Sequence, residues 1–164
     1  MPRETFLMYV RNFIFGAEDS LVSTVGLLSG VATGGVVRAD IVITGVVLIF
    51  VEAFSMAIGS FLSEEATEEY QRRGKVHLKS TFISGVIMLV SYFVAGIIPL
   101  LPYLITSVTN PFWSSIIVTL ISLFFLGLVS AKVLHTNVLR NSLRMLIIGG
   151  LAVGIGAFIG QIFN

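Results

Sequence analysis

The sequence predicts an all-α, polytopic membrane protein of five transmembrane helices with its N-terminus in the cytoplasm. Three observations predict it. Only 12% of the 164 residues are charged, where a soluble domain carries about 25%. Mean hydropathy is +0.98, so the solvent the chain faces is mostly lipid. The apolar residues also fall into five runs, each near the roughly 20 residues that a helix needs to cross about 30 Å of hydrocarbon. Sixteen glycines agree with this class, since glycine is commoner in membrane helices than in soluble ones.

The first run, Asn12–Val37, follows an N-terminal stretch that does not read as a signal peptide. Arg11 breaks its apolar part, Glu18 and Asp19 follow, and there is no small-residue cleavage site, so the mature chain is expected to begin near Met1. A polar hinge after Gly34-Gly35, holding Arg38 and Asp40, separates it from the second run, Ala39–Ser63. The third, Ser80–Leu101, is expected to end at Pro99 and Pro102, and Asn110-Pro111 opens the fourth, Phe112–Ala131. The fifth is Met145–Phe163. Residues 1–164 then form a single membrane domain, with a short acidic connection at 64–79.

Basic residues orient the spans. Arg3 and Arg11 precede the first, Arg72, Arg73, Lys75 and Lys79 follow the second, and Lys132, Arg140 and Arg144 follow the fourth. Only Arg38 falls on the other side. The positive-inside rule puts the N-terminus and these loops in the cytoplasm. Glycines at four-residue spacing (Gly26, Gly30 and Gly34; Gly150 and Gly154; Gly156 and Gly160) let helix backbones approach closely. Such ridges serve either packing within one subunit or a homodimer seam. Five helices enclose a polar path thinly, which favours a homodimer.

The net charge of +1 leaves no electrostatic footprint for nucleic acid. Without cysteine there are no disulfides and no thiolate metal sites or nucleophiles. No His pair or Ser–His constellation points to an enzyme, and nothing points to a bound cofactor. What requires explanation is the set of carboxylates inside apparent spans: Glu18, Asp19 and Glu52. A charged carboxylate at mid-bilayer costs roughly 2.5–3.5 kcal/mol on insertion scales. No Lys or Arg lies inside a predicted span to pair with them. They are therefore protonated, face water, or bind cations, and each option leads to an ion or proton path.

Glu18 lies only about 9–10 Å along its helix from Asn12, so it either looks out to the interface or joins the path. Asp19 either lines the path or is a capped irregularity bonded to Ser23. Glu52 is too central for an interfacial role. Met56 follows it by four residues and stacks on the same face. It sits about 12 Å from the cytoplasmic end, a depth similar to that of Asp19. Two carboxylates suit magnesium, calcium or manganese, and a thioether shifts the preference toward later transition metals. Beyond Ser63 the acids Glu64, Glu65, Glu68 and Glu69 make one face if the helix runs on. Glu68–Arg72 and Glu69–Arg73 are favourable i,i+4 pairs. Glu64 and Glu65 lack such partners and are candidates for a cation-collecting entrance, which His77 could join; His135 carries no signal.

Two stretches resemble a known family. Gly16-Ala17-Glu18-Asp19-Ser20-Leu21-Val22-Ser23-Thr24 is similar to the G-x-x-D-G-L-V-S-T motif of the vacuolar iron transporter family. Ala53-Phe54-Ser55-Met56-Ala57-Ile58-Gly59 is similar to that family's A-x-S-M-x-x-G. The resemblance implies a homodimeric exporter of ferrous iron, often also manganese, from the cytoplasm in exchange for protons, with Asp19 and Met56 lining the path. The chain departs from the family pattern at Ser20 and Glu52, where glycine is usual, and at Ser60, where many members have glutamate. It also resembles a short form, without the cytosolic metal-binding domain of plant members.

The expected function is thus proton-coupled antiport of iron or manganese. The expected partners are the lipid bilayer, a divalent metal ion, protons and a second copy. The expected location is a prokaryotic plasma membrane. The expected metal-handling residues are Glu18, Asp19, Glu52, Met56, Glu64 and Glu65. A membrane scaffold that moves nothing, or a proton-coupled transporter of another cation, are the alternatives.

Overall fold

The computed structural model describes residues 3–72 and 78–163. Its helices are α1 (Arg3–Thr33), α2 (Arg38–Arg72), α3 (Leu78–Leu104), α4 (Pro111–Val133) and α5 (Val138–Ile162). All five are long and apolar enough to cross a membrane. Their ends depart from the hydropathy reading because helices continue past the hydrocarbon. α1 begins at Arg3 rather than Asn12. α2 continues beyond Ser63 to Arg72, since Glu, Ala and Gln are good helix formers and no breaker intervenes. The expected partners Arg73 and His77, and the side chain of Arg72, lie outside the described residues.

α3 does not stop at its prolines; it runs through Pro99 and Pro102 to Leu104. Proline removes an N–H and strands a carbonyl, which membrane helices tolerate when neighbours supply the missing bonds. The carbonyls so stranded are those of Ala95 and Ile98, one turn back; Ser115 of α4 adds a bond to the Pro99 carbonyl itself, at 2.6 Å. Arg38, at the start of α2, donates to the carbonyls of Pro102 at 3.1 Å and Tyr103 at 2.8 Å, and also to that of Ile105. The one basic residue at this end thus caps the orphan carbonyls of a neighbouring helix.

The hinge between α1 and α2 closes on glycine for a conformational reason. Val36 N–H reaches back to the Val31 carbonyl at 3.4 Å across Gly35, whose φ is 76°. α5 starts at Val138, its Asn137 side chain accepting from Arg140 N–H at 3.1 Å. That start places Arg140 and Arg144 inside the helix rather than in the loop.

α1 lies at the centre, against all four other helices, while among the described residues α2 and α5 make no contact with each other. One core cluster joins Ala17 and Leu21 to Ala95, Leu123 and Met145. The other joins Leu28 to Ile41, Ile49, Leu100 and Tyr103. Phe50, Phe54, Phe125, Ile147 and Phe158 are exposed, as residues facing lipid tails are.

The glycine ridges resolve into one internal seam. Gly26 and Gly30 of α1 face Ala152 and Gly156 of α5, and Gly160 meets Gly30. A Cβ at Gly156 would fall 2.0 Å from the Gly26 carbonyl oxygen, and one at Gly160 would fall 2.0 Å from that of Gly30. Gly150 and Gly154, by contrast, meet nothing within 4 Å. Gly156→Leu and Gly160→Leu are therefore expected to destabilise the chain by at least about 1–3 kcal/mol, because backbone must move. Gly150→Ala is expected to be tolerated. Thermal unfolding in detergent checks both; equal melting of Gly156→Leu and the parent would contradict the seam.

Candidate metal path

The polar residues of α1 fall mainly on its buried side, and they set the site. Asn12, Ser20, Thr24 and Ser29 are buried there, with Asp19 and Ser23 half-buried beside them. Across from Ser20 and Ser23 stands Tyr92 of α3, with 0% of its surface exposed. Its phenol hydroxyl donates to Glu52 Oε2 of α2 and lies 2.8 Å from Ser23 Oγ. Its main-chain carbonyl accepts from Ser20 Oγ at 2.6 Å. Room for the Ser20 hydroxyl comes from Gly96, where a Cβ would fall 2.6 Å from Ser20 Oγ. Two departures from the family motif, Ser20 and Glu52, thus meet on one tyrosine.

Asp19 and Glu52 lie close enough to repel electrostatically. Among the described residues neither has an ion-pair partner, and no hydrogen bond engages the Asp19 carboxylate. Ser23, considered as a cap for Asp19, is bonded to Tyr92 instead. Met56 is half-buried one turn beyond Glu52 on the same face of α2. Glu52 stands in the wall of a groove of about 740 Å³ that runs along α1 between α2 and α5, past Ser23, Gly26 and Gly30. Apart from Glu52 and Ser23 this wall is glycine and apolar side chains.

Glu18 has a different environment. The start of α5 at Val138 brings Arg144 within electrostatic reach of Glu18, where it attracts the carboxylate. This corrects the expectation that no basic residue attends these acids. Hydropathy alone opens the fifth span at Met145, one residue after Arg144.

The acidic face of α2 is also divided. Glu64 is 8% exposed and forms an ion pair with Arg11 of α1. It also accepts from Asn12 Nδ2 at 3.3 Å. The lack of a partner for Glu64, expected from spacing along one helix, is therefore corrected by a residue on another helix. Asn12 is the node of this cluster. It donates to Ser84 Oγ at 2.6 Å, and its Oδ1 accepts from Ser60 Oγ at 2.8 Å. Outside the ion pair lies a polar groove of about 390 Å³ lined in part by Glu4, Arg11, Glu64 and Glu68. Glu65, half-buried, and Glu69, exposed, do not line it. Among the described residues no three His, Asp or Glu side chains converge as a metal-holding group.

Tyr92, Asn12, Ser60 and Ser84 were not legible as site residues. The signal was a run of polar side chains in an apolar span, Ser84, Ser91 and Tyr92, at positions that return to one helix face. Five membrane-spanning helices that hold unpaired carboxylates within their bundle define a polytopic membrane protein built around intramembrane acids. The profile of the VIT family matches residues 10–82 and 73–161, two overlapping segments that together run through the chain, which belongs to that family of membrane metal-ion transporters. No curated protein matches it.

Asn12→Leu is expected to destabilise the bundle by about 1–3 kcal/mol, because it strips partners from Glu64, Ser60 and Ser84. The loss should be partly recovered by adding Glu64→Gln, which removes the buried charge. Thermal melts of the single and double variants check this.

Proposed function

We propose that the chain exports a divalent transition metal from the cytoplasm, ferrous iron first and manganese second, in exchange for protons. The observation that carries this reading is the Asp19–Glu52 pair. Two carboxylates lie within repelling distance inside the bundle, with no basic partner for either among the described residues. Two negative charges there call for a dication or for protons. Ionised, the pair binds the metal; protonated, it releases the metal and returns as a neutral site that costs far less in lipid. Met56, on the Glu52 face of α2, adds a soft donor that favours iron over calcium or magnesium.

The direction rests on charge. Arg3, Arg11, Lys132, Arg140 and Arg144 lie toward one end of the bundle and Arg38 alone at the other, so the basic end is cytoplasmic. Glu64 and Arg11 then stand at the cytoplasmic mouth. A second copy supports the reading because two carboxylates and a thioether do not fill the coordination shell of a dication. The groove along α1 exposes Glu52 to such a partner. The membrane is a prokaryotic plasma membrane, in keeping with a short connection at 64–79 in place of a cytosolic metal-binding domain.

In proteoliposomes the purified protein is expected to couple iron or manganese flux to opposing proton flux. Asp19→Asn and Glu52→Gln should each abolish metal-dependent proton movement, and full activity in either removes that residue from the mechanism. Met56→Leu should cost iron more than manganese. Testing iron, manganese, zinc and calcium in the same vesicles separates this reading from a scaffold, which moves none, and from a transporter of another cation.

A further inference from the structure

We infer that Tyr92 is a positioning residue that restricts Glu52 to coordinating metal through one oxygen, and so selects small dications against calcium. The inference rests on Glu52 being a metal ligand, as proposed above. Its own support is geometric. The phenol hydroxyl of Tyr92 holds Oε2 of Glu52. Among the described residues no hydrogen bond engages Oε1, and the side chain stands in the wall of the α1 groove. One oxygen is occupied by protein and one is left for a ligand.

The phenol cannot readily follow a carboxylate that rotates. Tyr92 is fully buried, its hydroxyl is flanked by Ser23 at 2.8 Å, and its backbone is anchored by Ser20 at 2.6 Å. Ser20 is in turn packed against Gly96. Presenting both oxygens to one ion would break the Tyr92–Glu52 bond, a charge-assisted bond of the stronger kind. Calcium takes six to eight oxygens at about 2.3–2.6 Å and often uses carboxylates bidentately. Smaller dications accept fewer ligands and a single carboxylate oxygen. A carboxylate with one oxygen already held therefore penalises calcium and leaves manganese or iron unaffected. The neighbouring α5 carries no Asp, Glu, Lys, Arg or His beyond Arg144 to supply a substitute ligand or a competing charge.

The test uses the full-length protein with manganese and calcium as probes. Infrared difference spectra on manganese addition, with the Glu52 band identified by its loss in Glu52→Gln, should show the wide separation of carboxylate stretches typical of one-oxygen coordination. In Tyr92→Phe the separation should narrow, and the preference for manganese over calcium should fall on the order of tenfold, the size expected for losing a hydrogen bond to a charged group. Gly150→Ala, a change on α5 with no neighbour within 4 Å among the described residues, should keep the wild-type spectrum. A two-oxygen signature in the wild-type protein overturns the inference even if Tyr92→Phe does not fold. So does an unchanged preference in a folded Tyr92→Phe. Wild-type manganese binding by Glu52→Gln would instead show that Glu52 is no ligand, and the reading of the site would fall with it.

Discussion

Inside hydrocarbon a polar group can be satisfied only by the protein itself, and the arrangement of this bundle follows from that constraint acting on α1. Asn12, Ser20, Ser23, Thr24 and Ser29 make α1 polar along much of its length. A helix of that kind cannot sit at the lipid boundary, and it is the one helix that touches all the others. Its opposite requirement, close backbone approach at Gly26 and Gly30, is met by Gly156 and Gly160 of α5. Polar bonds to α2 and α3 and bare backbone contact with α5 together hold α1 in register. α5, which has no Ser, Thr, Asn, Asp or Glu between Met145 and Gly160, meets it through glycine instead.

The same constraint explains both ends. At one, Arg38 gathers the carbonyls of Pro102 and Tyr103 that the end of α3 would leave open. At the other, Glu64 is buried and would be prohibitive alone, so Arg11 and Asn12 attend it. In both places the first turns of one helix supply what another helix lacks. The acid at the basic end is thereby tied to α1 as well as lining the polar groove beside it.

Within the bundle the carboxylates are treated unequally. Glu18 has Arg144, Glu64 has Arg11, and Glu52 has the phenol of Tyr92. Among the described residues Asp19 has no such partner, only the repulsion of Glu52 and Glu18. This ranking bears on chemistry, because the less a carboxylate is engaged by protein, the more it gains from a cation. It also accounts for the chain's departures from its family pattern. Ser20 and Glu52 both depend on Tyr92, and Ser60 belongs to the Asn12 cluster. The replacements are each absorbed by a hydrogen bond to another helix.

Number and kind of helices, the hinge at Gly34-Gly35 and the anomaly of Asp19 and Glu52 were determined by sequence alone. Apolar runs of membrane length and charges within them are properties of single segments, and they need no neighbour to be read. Spacing along one helix likewise placed Met56 on the face of Glu52. Only the tertiary structure decided which helix supplied each partner. Tyr92 lies 40 residues from Glu52, and Arg11 lies 53 from Glu64; no helical periodicity connects such positions. It also decided that the Gly156 ridge is spent within the chain, and that Pro99 and Pro102 do not end α3. The reason is the same throughout: in a membrane bundle a local rule states what a group needs, and helix packing states what meets it.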